Sequence, residues 1–354
     1  MTPAALTHRN NLDLLRLVAA CGVVAVHVVD LSGQAALQAL SMPDSKWALS
    51  LFFVLSGYLV FQSCEQTPDW RQYAIKRVRR IVPAYVAVVL LCVLLGAVLT
   101  TRTQADYWGP ETVRYLVANL LLLNFVAPTL PGVFEGNTLQ AVNGALWTIK
   151  VEVMFYAVVP LWVAAVKRWG HHRVLGLGFV LSCLWWGGCW WLAQRTGKGV
   201  FVELSKQMPG QLMYFLPGAW CYYERERLRA WGWRVGVAGA LLMALSQAFD
   251  GARLGPGAYA YPVALAALMF WAGFIVPWLG AAARHGDLSY GIYIIHFPLI
   301  QALVQLGAFQ ASPWAGLALL AVLLPALAWL SWHLIEAPAL ARRVAAPTEI
   351  STKS

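Results

Sequence analysis

Apolar residues in this chain are gathered into long blocks separated by short polar stretches. Ten blocks approach the roughly 20 residues that a helix needs to cross a bilayer: 11–31, 47–62, 81–100, 145–166, 174–192, 208–223, 235–249, 258–280, 288–306 and 313–335. An eleventh, 112–127, is short and carries Arg114, Asn119 and Asn124. The pattern predicts an all-α, polytopic membrane bundle of about ten helices. The basic residues orient it. With the N-terminus cytoplasmic and 112–127 kept as a re-entrant or external element, the inside loops hold 17 Lys and Arg and the outside loops 7. Short cytoplasmic loops are the ones enriched in these residues. Making 112–127 a true span would move Lys167, Arg168, Arg173 and the cluster at Arg225, Arg227, Arg229 and Arg234 outside. Ten spans with both termini cytoplasmic are therefore expected, and an eleventh span is the rival reading.

Composition agrees. The 354 residues are 60% hydrophobic and 12% charged, against about 25% charged in soluble domains. Eighteen Trp suit the aromatic belts of membrane proteins. The net charge of +10 sits in loops between spans, which explains it without nucleic acid as a partner. Residues 1–340 read as one transmembrane domain, and 341–354 as a short disordered cytoplasmic tail. The six Cys form no CxxC pair and read as small core residues, so no metal site is expected. A cleaved signal peptide fits poorly, because the first block contains Arg16 and His27 and is long enough to span.

The first block, NLDLLRLVAACGVVAVHVVDL, is where chemistry enters. Asp13 and Arg16 lie near one end and His27 near the other, and ionisable groups inside a span are functional candidates by default. Eleven steps at about 100° make roughly three turns, so Arg16 and His27 share a face about 16 Å apart. In RQYAIKRVRRIVPAY, Arg77 and Arg80 share a face at i,i+3 and lie at the depth of Arg16. Three guanidiniums at one depth suit a polyphosphate, although a basic loop also serves topology alone.

Further polar residues attend these two. In ALWTIKVEVMFY, Trp147 is a belt or packing residue, and Glu152 falls near the depth of His27. A carboxylate there either orients the imidazole or pairs with Lys150 or an Arg to tie helices together. His296 lies between aromatics in the ninth block, where a buried hydrogen-bonding role is the plain reading. Glu336 could pair with Arg16, Arg77 or Arg80. Ser56 and Gly57 are small enough to let helices approach closely. There is no P-loop, dinucleotide fingerprint, HExxH or GxSxG motif, and no inverted repeat.

From LDLLRLVAACGVVAVH through FFVLSGYLV, KRVRRIVPAY, LWTIKVEVMFY and SYGIYIIHFPL to the final EAP, the chain resembles the acyltransferase-3 family of bacterial membrane acyltransferases. The resemblance implies transfer of an acyl group, usually acetyl, from acyl-CoA to a sugar or related acceptor at the inner membrane. It implies catalysis by His27, with Glu152 a possible helper, and donor binding by Arg16, Arg77 and Arg80. Asp13, Ser56, Trp147, His296 and Glu336 would support them. Lys150 and Val153 depart from the family's usual motif around Glu152, and Ala337 replaces its Lys beside Glu336. The chain is too short for the SGNH esterase-like domain that some members carry. Whether His27 acts as base or as acyl-carrying nucleophile is left open. Two rivals are a transporter or flippase using His27, Glu152 and His296 as a proton relay, and a structural partner of a polysaccharide-synthesis complex.

Overall fold

Each apolar block falls largely on a helix of the computed structural model, which describes residues 10–41, 45–67, 69–249, 255–282, 284 and 286–341. The principal helices are α1 (Leu12–Ser32), α2 (Ser45–Glu65), α3 (Trp70–Leu99), α4 (Pro110–Leu120), α5 (Trp147–Trp169), α6 (His171–Thr196), α7 (Met208–Tyr223), α8 (Trp233–Ala248), α9 (Pro256–Phe270), α10 (Ser289–Gln305) and α11 (Pro313–Ser331). Helices α9 and α11 each run on through a π turn, Trp271–Ile275 and Trp332–Glu336. No strand forms among the described residues. Of the tail expected at 341–354, Ala341 ends a short helix and 342–354 lie outside the described residues.

Seven helical runs are long and apolar enough to cross a bilayer: α1, α2, α3, α5, α6, α9 with its π turn, and α11 with its extension. Three more of the ten expected spans, α7, α8 and α10, hold 16, 16 and 17 residues. At 1.5 Å per residue they reach about 24–26 Å, short of the roughly 30 Å hydrocarbon core. Helices α7 and α10 are buried almost all round, as expected of helices without a polar face in the middle of a bundle. Only the first part of the 112–127 stretch is helical. Helix α4 has 11 residues, after which Leu122 adopts a left-handed φ of 62° and irregular chain continues to Trp147. Asn119 of this stretch serves the fold: its Nδ2 donates to the carbonyls of Tyr115 and Ala127 at 2.8 and 3.0 Å, and Tyr85 ties its carbonyl to α3 at 2.7 Å.

Two apolar cores form. One joins α1, α3, α10, α11 and the 121–146 segment; the other joins α2, α5, α6, α7 and α9. Helix α1 contributes to both, through Ala20 and Val23 to the first and Leu12 and Ala19 to the second. Its start is anchored by Asn11, whose Nδ2 donates to the carbonyls of Ala272, Val276 and Pro277 at 3.0–3.3 Å. These are groups that the end of α9 leaves without helical partners. Helices α2 and α7 cross with their backbones nearly touching. A Cβ on Gly57 would overlap the Phe215 carbonyl, and one on Gly218 would overlap that of Val54. Small residues permit such crossings.

Helices α1 and α10 run side by side in the same direction. They are joined at one level by Arg16 and Asp287 and at another by His27 and His296. Beyond His296, Pro298 has no N–H, so the Ile294 carbonyl loses its helical donor. The side chain of Asn143 fills that place at 2.9 Å. Gln301 Nε2 then donates to the carbonyls of Leu139 and Ala141. The irregular segment is thereby held over the His296 end of the bundle.

Candidate functional site

A cavity of about 580 Å³ opens between α1, α2, α3, α5 and α10. Five cations line it, Arg16, Lys76, Arg77, Arg79 and Arg80, against three carboxylates, Asp13, Glu152 and Asp287. Arg16, Arg77 and Arg80 come together here as the sequence suggests. Helical spacing on α3 brings Arg77 and Arg80 to the same cavity that Arg16 reaches from α1. Arg77 donates to Ser63 Oγ at 3.0 Å and lies over the rings of Tyr73 and Tyr156, 5.8 and 5.4 Å from their centroids.

Asp287 is the pivot of this end. It accepts from Arg16 at 2.5 Å and from Arg80, and its other oxygen accepts from Ser289 Oγ at 2.6 Å. Burial alone would raise its pKa. The Arg16 and Arg80 guanidiniums, with the Ser289 hydroxyl, outweigh that and hold the carboxyl well below the usual carboxylate range. Glu336, which could pair with these arginines, interacts with Arg80 through charge but makes no hydrogen bond to it. It instead accepts from Ser331 Oγ at 3.0 Å, and its second oxygen is buried without a hydrogen bond. The π turn sets that aim, since it seats Ser331 and Glu336 against each other.

Glu152 belongs to the cavity and not to His27. Its Oε1 accepts from Tyr156, one helical turn on, at 2.5 Å and from Ser56 at 3.3 Å. Ser56 therefore faces the cavity, while its neighbour Gly57 makes the helix crossing. Lys150 is not paired with Glu152; its ammonium lies 4.7 Å over Phe125 of the irregular segment. Trp147, the first residue of α5, packs against the second core. Asp13 lines the cavity on the same helix as Arg16.

At the other level of α1, the partner of His27 is His296. His27 Nδ1 lies 2.8 Å from His296 Nε2, with ring centroids 5.0 Å apart and planes 15° from parallel. His296 Nδ1 lies 2.7 Å from the Tyr293 carbonyl. Phe297 stands edge-on to His27 at 5.3 Å. The Tyr293 hydroxyl meets Thr148 Oγ1 at 2.6 Å, and both residues line the cavity. Tyr293 thus touches both the cavity and the imidazole pair. Such a pair can take and pass a proton; the cationic cavity can hold an extended anion.

Sequence reasoning passed over two members of this arrangement. Asp287 heads the very stretch that contains His296, two residues before the first residue of α10, a position suited to an Asp side chain that caps a helix. Tyr156 follows Glu152 at i+4, a spacing that brings side chains together. Away from the cavity, His171, His172 and Glu224 bring one ligand atom each within 4.8 Å of one another. Trp220 Nε1 donates to His172 Nδ1 at 3.3 Å, so His172 presents a hydrogen on Nε2 to the Glu224 oxygen 3.3 Å away. That makes it a hydrogen-bonded cluster.

Comparison with known proteins gives the context. Residues 9–335 match the family described as an acyltransferase domain. Nodulation protein 10 of Rhizobium leguminosarum bv. viciae is 30% identical, covering 95% of this chain and 94% of its own length. An O-acetyl transferase of Shigella phage Sf6 is 26% identical over 93% of this chain and 96% of its own. A peptidoglycan O-acetyltransferase of Listeria monocytogenes is 23% identical over 49% of this chain and 28% of its own. No solved structure matches the chain.

Proposed function

The chain belongs to the acyltransferase-3 family of multi-pass membrane O-acyltransferases, and on that premise we propose acyl-CoA as its donor and a sugar, glycan or glycoside hydroxyl as its acceptor. The acyl group is acetyl, as the names of the phage and Listeria relatives suggest. In this reading the Arg16 end faces the cytoplasm of a bacterium, ten helices cross the inner membrane, and both termini are cytoplasmic. The asymmetry of 17 basic residues against 7 supports that orientation.

One observation carries the proposal: α1 presents a guanidinium in a cation-rich cavity at one level and a hydrogen-bonded imidazole at another. The cavity is of the size that holds small molecules and cofactors, about 300–1,000 Å³. Arg16, Arg77 and Arg80 take the donor's phosphates, for which the guanidinium fork is well shaped. The pantetheine arm runs along the cavity past Ser56 and Glu152, where the Glu152 carboxylate can accept from its amide N–H groups. The thioester reaches the closed end beside Tyr293, and His27 is met when Tyr293 turns away from Thr148.

The acceptor hydroxyl oxygen attacks the thioester carbon while its proton passes to His27. The C–O bond forms and the C–S bond breaks. The proton then moves from His27 to the departing thiolate, giving the ester and CoA. General-base assistance of this kind contributes about 10²–10⁴ in rate.

The test uses the full chain in detergent with acetyl-CoA, followed by mass spectrometry of cell-surface glycans with and without the gene. A thermal shift with acetyl-CoA and acetyl groups that disappear with the gene are expected. The reading is overturned by protein that ignores acetyl-CoA yet moves a substrate across proteoliposomes.

A further inference from the structure

The hydrogen bonds around the imidazole pair can be given a direction. A carbonyl oxygen only accepts, so the 2.7 Å contact between His296 Nδ1 and the Tyr293 carbonyl requires the hydrogen to sit on His296 Nδ1. A neutral His296 then has a bare lone pair on Nε2. The 2.8 Å contact from that nitrogen to His27 Nδ1 can form only if His27 carries its hydrogen on Nδ1. What remains on a neutral His27 is an unprotonated Nε2. Backbone carbonyls of the preceding turn, that of Tyr293 with that of Ile292 also bonded to His296, thus decide through two rings which nitrogen of His27 is basic.

We infer that His296 is a positioning residue for the proposed reaction: it fixes His27 in the Nδ1–H tautomer and so presents Nε2 as the atom that takes the acceptor's proton. The inference rests on the reading of His27 as the base. His296 suits the task because it cannot turn easily. It is fully buried, with 0% exposure, its ring lies nearly parallel to that of His27, and Phe297 limits rotation of His27 from the edge. The sequence reading of His296 as a buried hydrogen-bonding histidine is correct as far as it goes; the bond it makes is what gives it a role.

Proton balance is kept throughout. The hydroxyl proton goes to His27 Nε2, and the resulting imidazolium holds its Nδ1–H toward His296. The proton then leaves from Nε2 to the thiolate. His296 begins and ends with one hydrogen, on Nδ1. Its partner group is a neutral ring and not a carboxylate, so it orients the base without adding a buried negative charge.

His296→Phe keeps an aromatic ring of similar bulk and removes the acceptor. His296→Gln restores an acceptor oxygen that can reach His27 Nδ1. The phenylalanine variant is expected to lose about 10²-fold in kcat, within the range of general-base effects, with KM for acetyl-CoA changed less than twofold. The glutamine variant should recover at least about tenfold of that loss. Nitrogen-15 NMR of histidine-labelled full-length protein in detergent should show Nδ1 of His27 protonated and Nε2 bare in the wild type, and a mixture in His296→Phe. Wild-type kcat in a folded His296→Phe variant overturns the inference, as does a wild-type spectrum with the hydrogen on Nε2 of His27. The control is His27→Ala. If it is inactive while His296→Phe is fully active, only the positioning role fails. If His27→Ala is itself fully active, the reading of the reaction fails.

Discussion

The two levels of α1 solve opposite electrostatic problems. Around Arg16 the structure gathers five cations in a roomy cavity and offsets them with a few carboxylates, Asp287 above all. Around His27 it places imidazole and aromatic rings in close packing, with hydrogen bonds that run through His296 to backbone carbonyls. A surplus of charge in a wide space holds a polyanion with little regard to its fine geometry. Neutral groups in a tight space fix where one hydrogen sits. In the proposed reading, binding and chemistry fall to different physics on one helix, and substitutions should separate them.

The largest separation is expected from His27→Ala, which should cut turnover by about 10³-fold while donor affinity by calorimetry stays within twofold. Next, Arg77→Ala with Arg80→Ala should raise the acetyl-CoA Kd by about 10²-fold, since hydrogen bonds between charged groups contribute about 1.5–3 kcal/mol each. Turnover at saturating donor should survive. A double variant that binds acetyl-CoA normally would remove the cavity mouth from the donor site. Third, Asp287→Asn should lower stability by about 2 kcal/mol, somewhat less than the 3–5 kcal/mol for breaking a fully buried pair, because Arg16 and Arg80 retain some exposure. The sign with pH follows from the lowered pKa of Asp287. Its stabilisation is complete above the unfolded carboxyl pKa of about 3.9 and is lost as the pH falls from there through the lower folded value. The gap in thermal midpoint between wild type and Asp287→Asn should therefore be constant at neutral pH and close in acid. The smallest effect should come from Lys150→Ala, about 0.5–1 kcal/mol from its contact with Phe125, with no change in donor Kd.

The helices and the cationic end were largely legible in the sequence. Apolar blocks and basic loops are local signals, and Arg77 and Arg80 share a face by helical arithmetic alone. Arg16 and His27 likewise share a helix whose geometry is fixed by counting. The partners were not legible. Arg16 meets Asp287, and His27 meets His296, across 271 and 269 positions of chain, and no local periodicity reports which helices are neighbours. Counting depth along α5 put Glu152 level with His27, but depth says nothing about lateral position, and Glu152 faces Ser56 and Tyr156 instead. The 112–127 stretch looked like a weak span because its Asn residues were taken as polar intrusions. Asn119 in fact closes the turn after α4, donating to the Tyr115 and Ala127 carbonyls.

The parallel run of α1 and α10 has a mechanical consequence. The helices are fastened at two levels, by a salt bridge at one and an imidazole contact at the other. Sliding one past the other by half a turn, about 2.7 Å, would stretch both contacts beyond bonding length together. Both contacts therefore oppose shear between the two helices. In the proposed reading, the interval between the cationic end and the imidazole end is in effect a gauge length set by helix pitch.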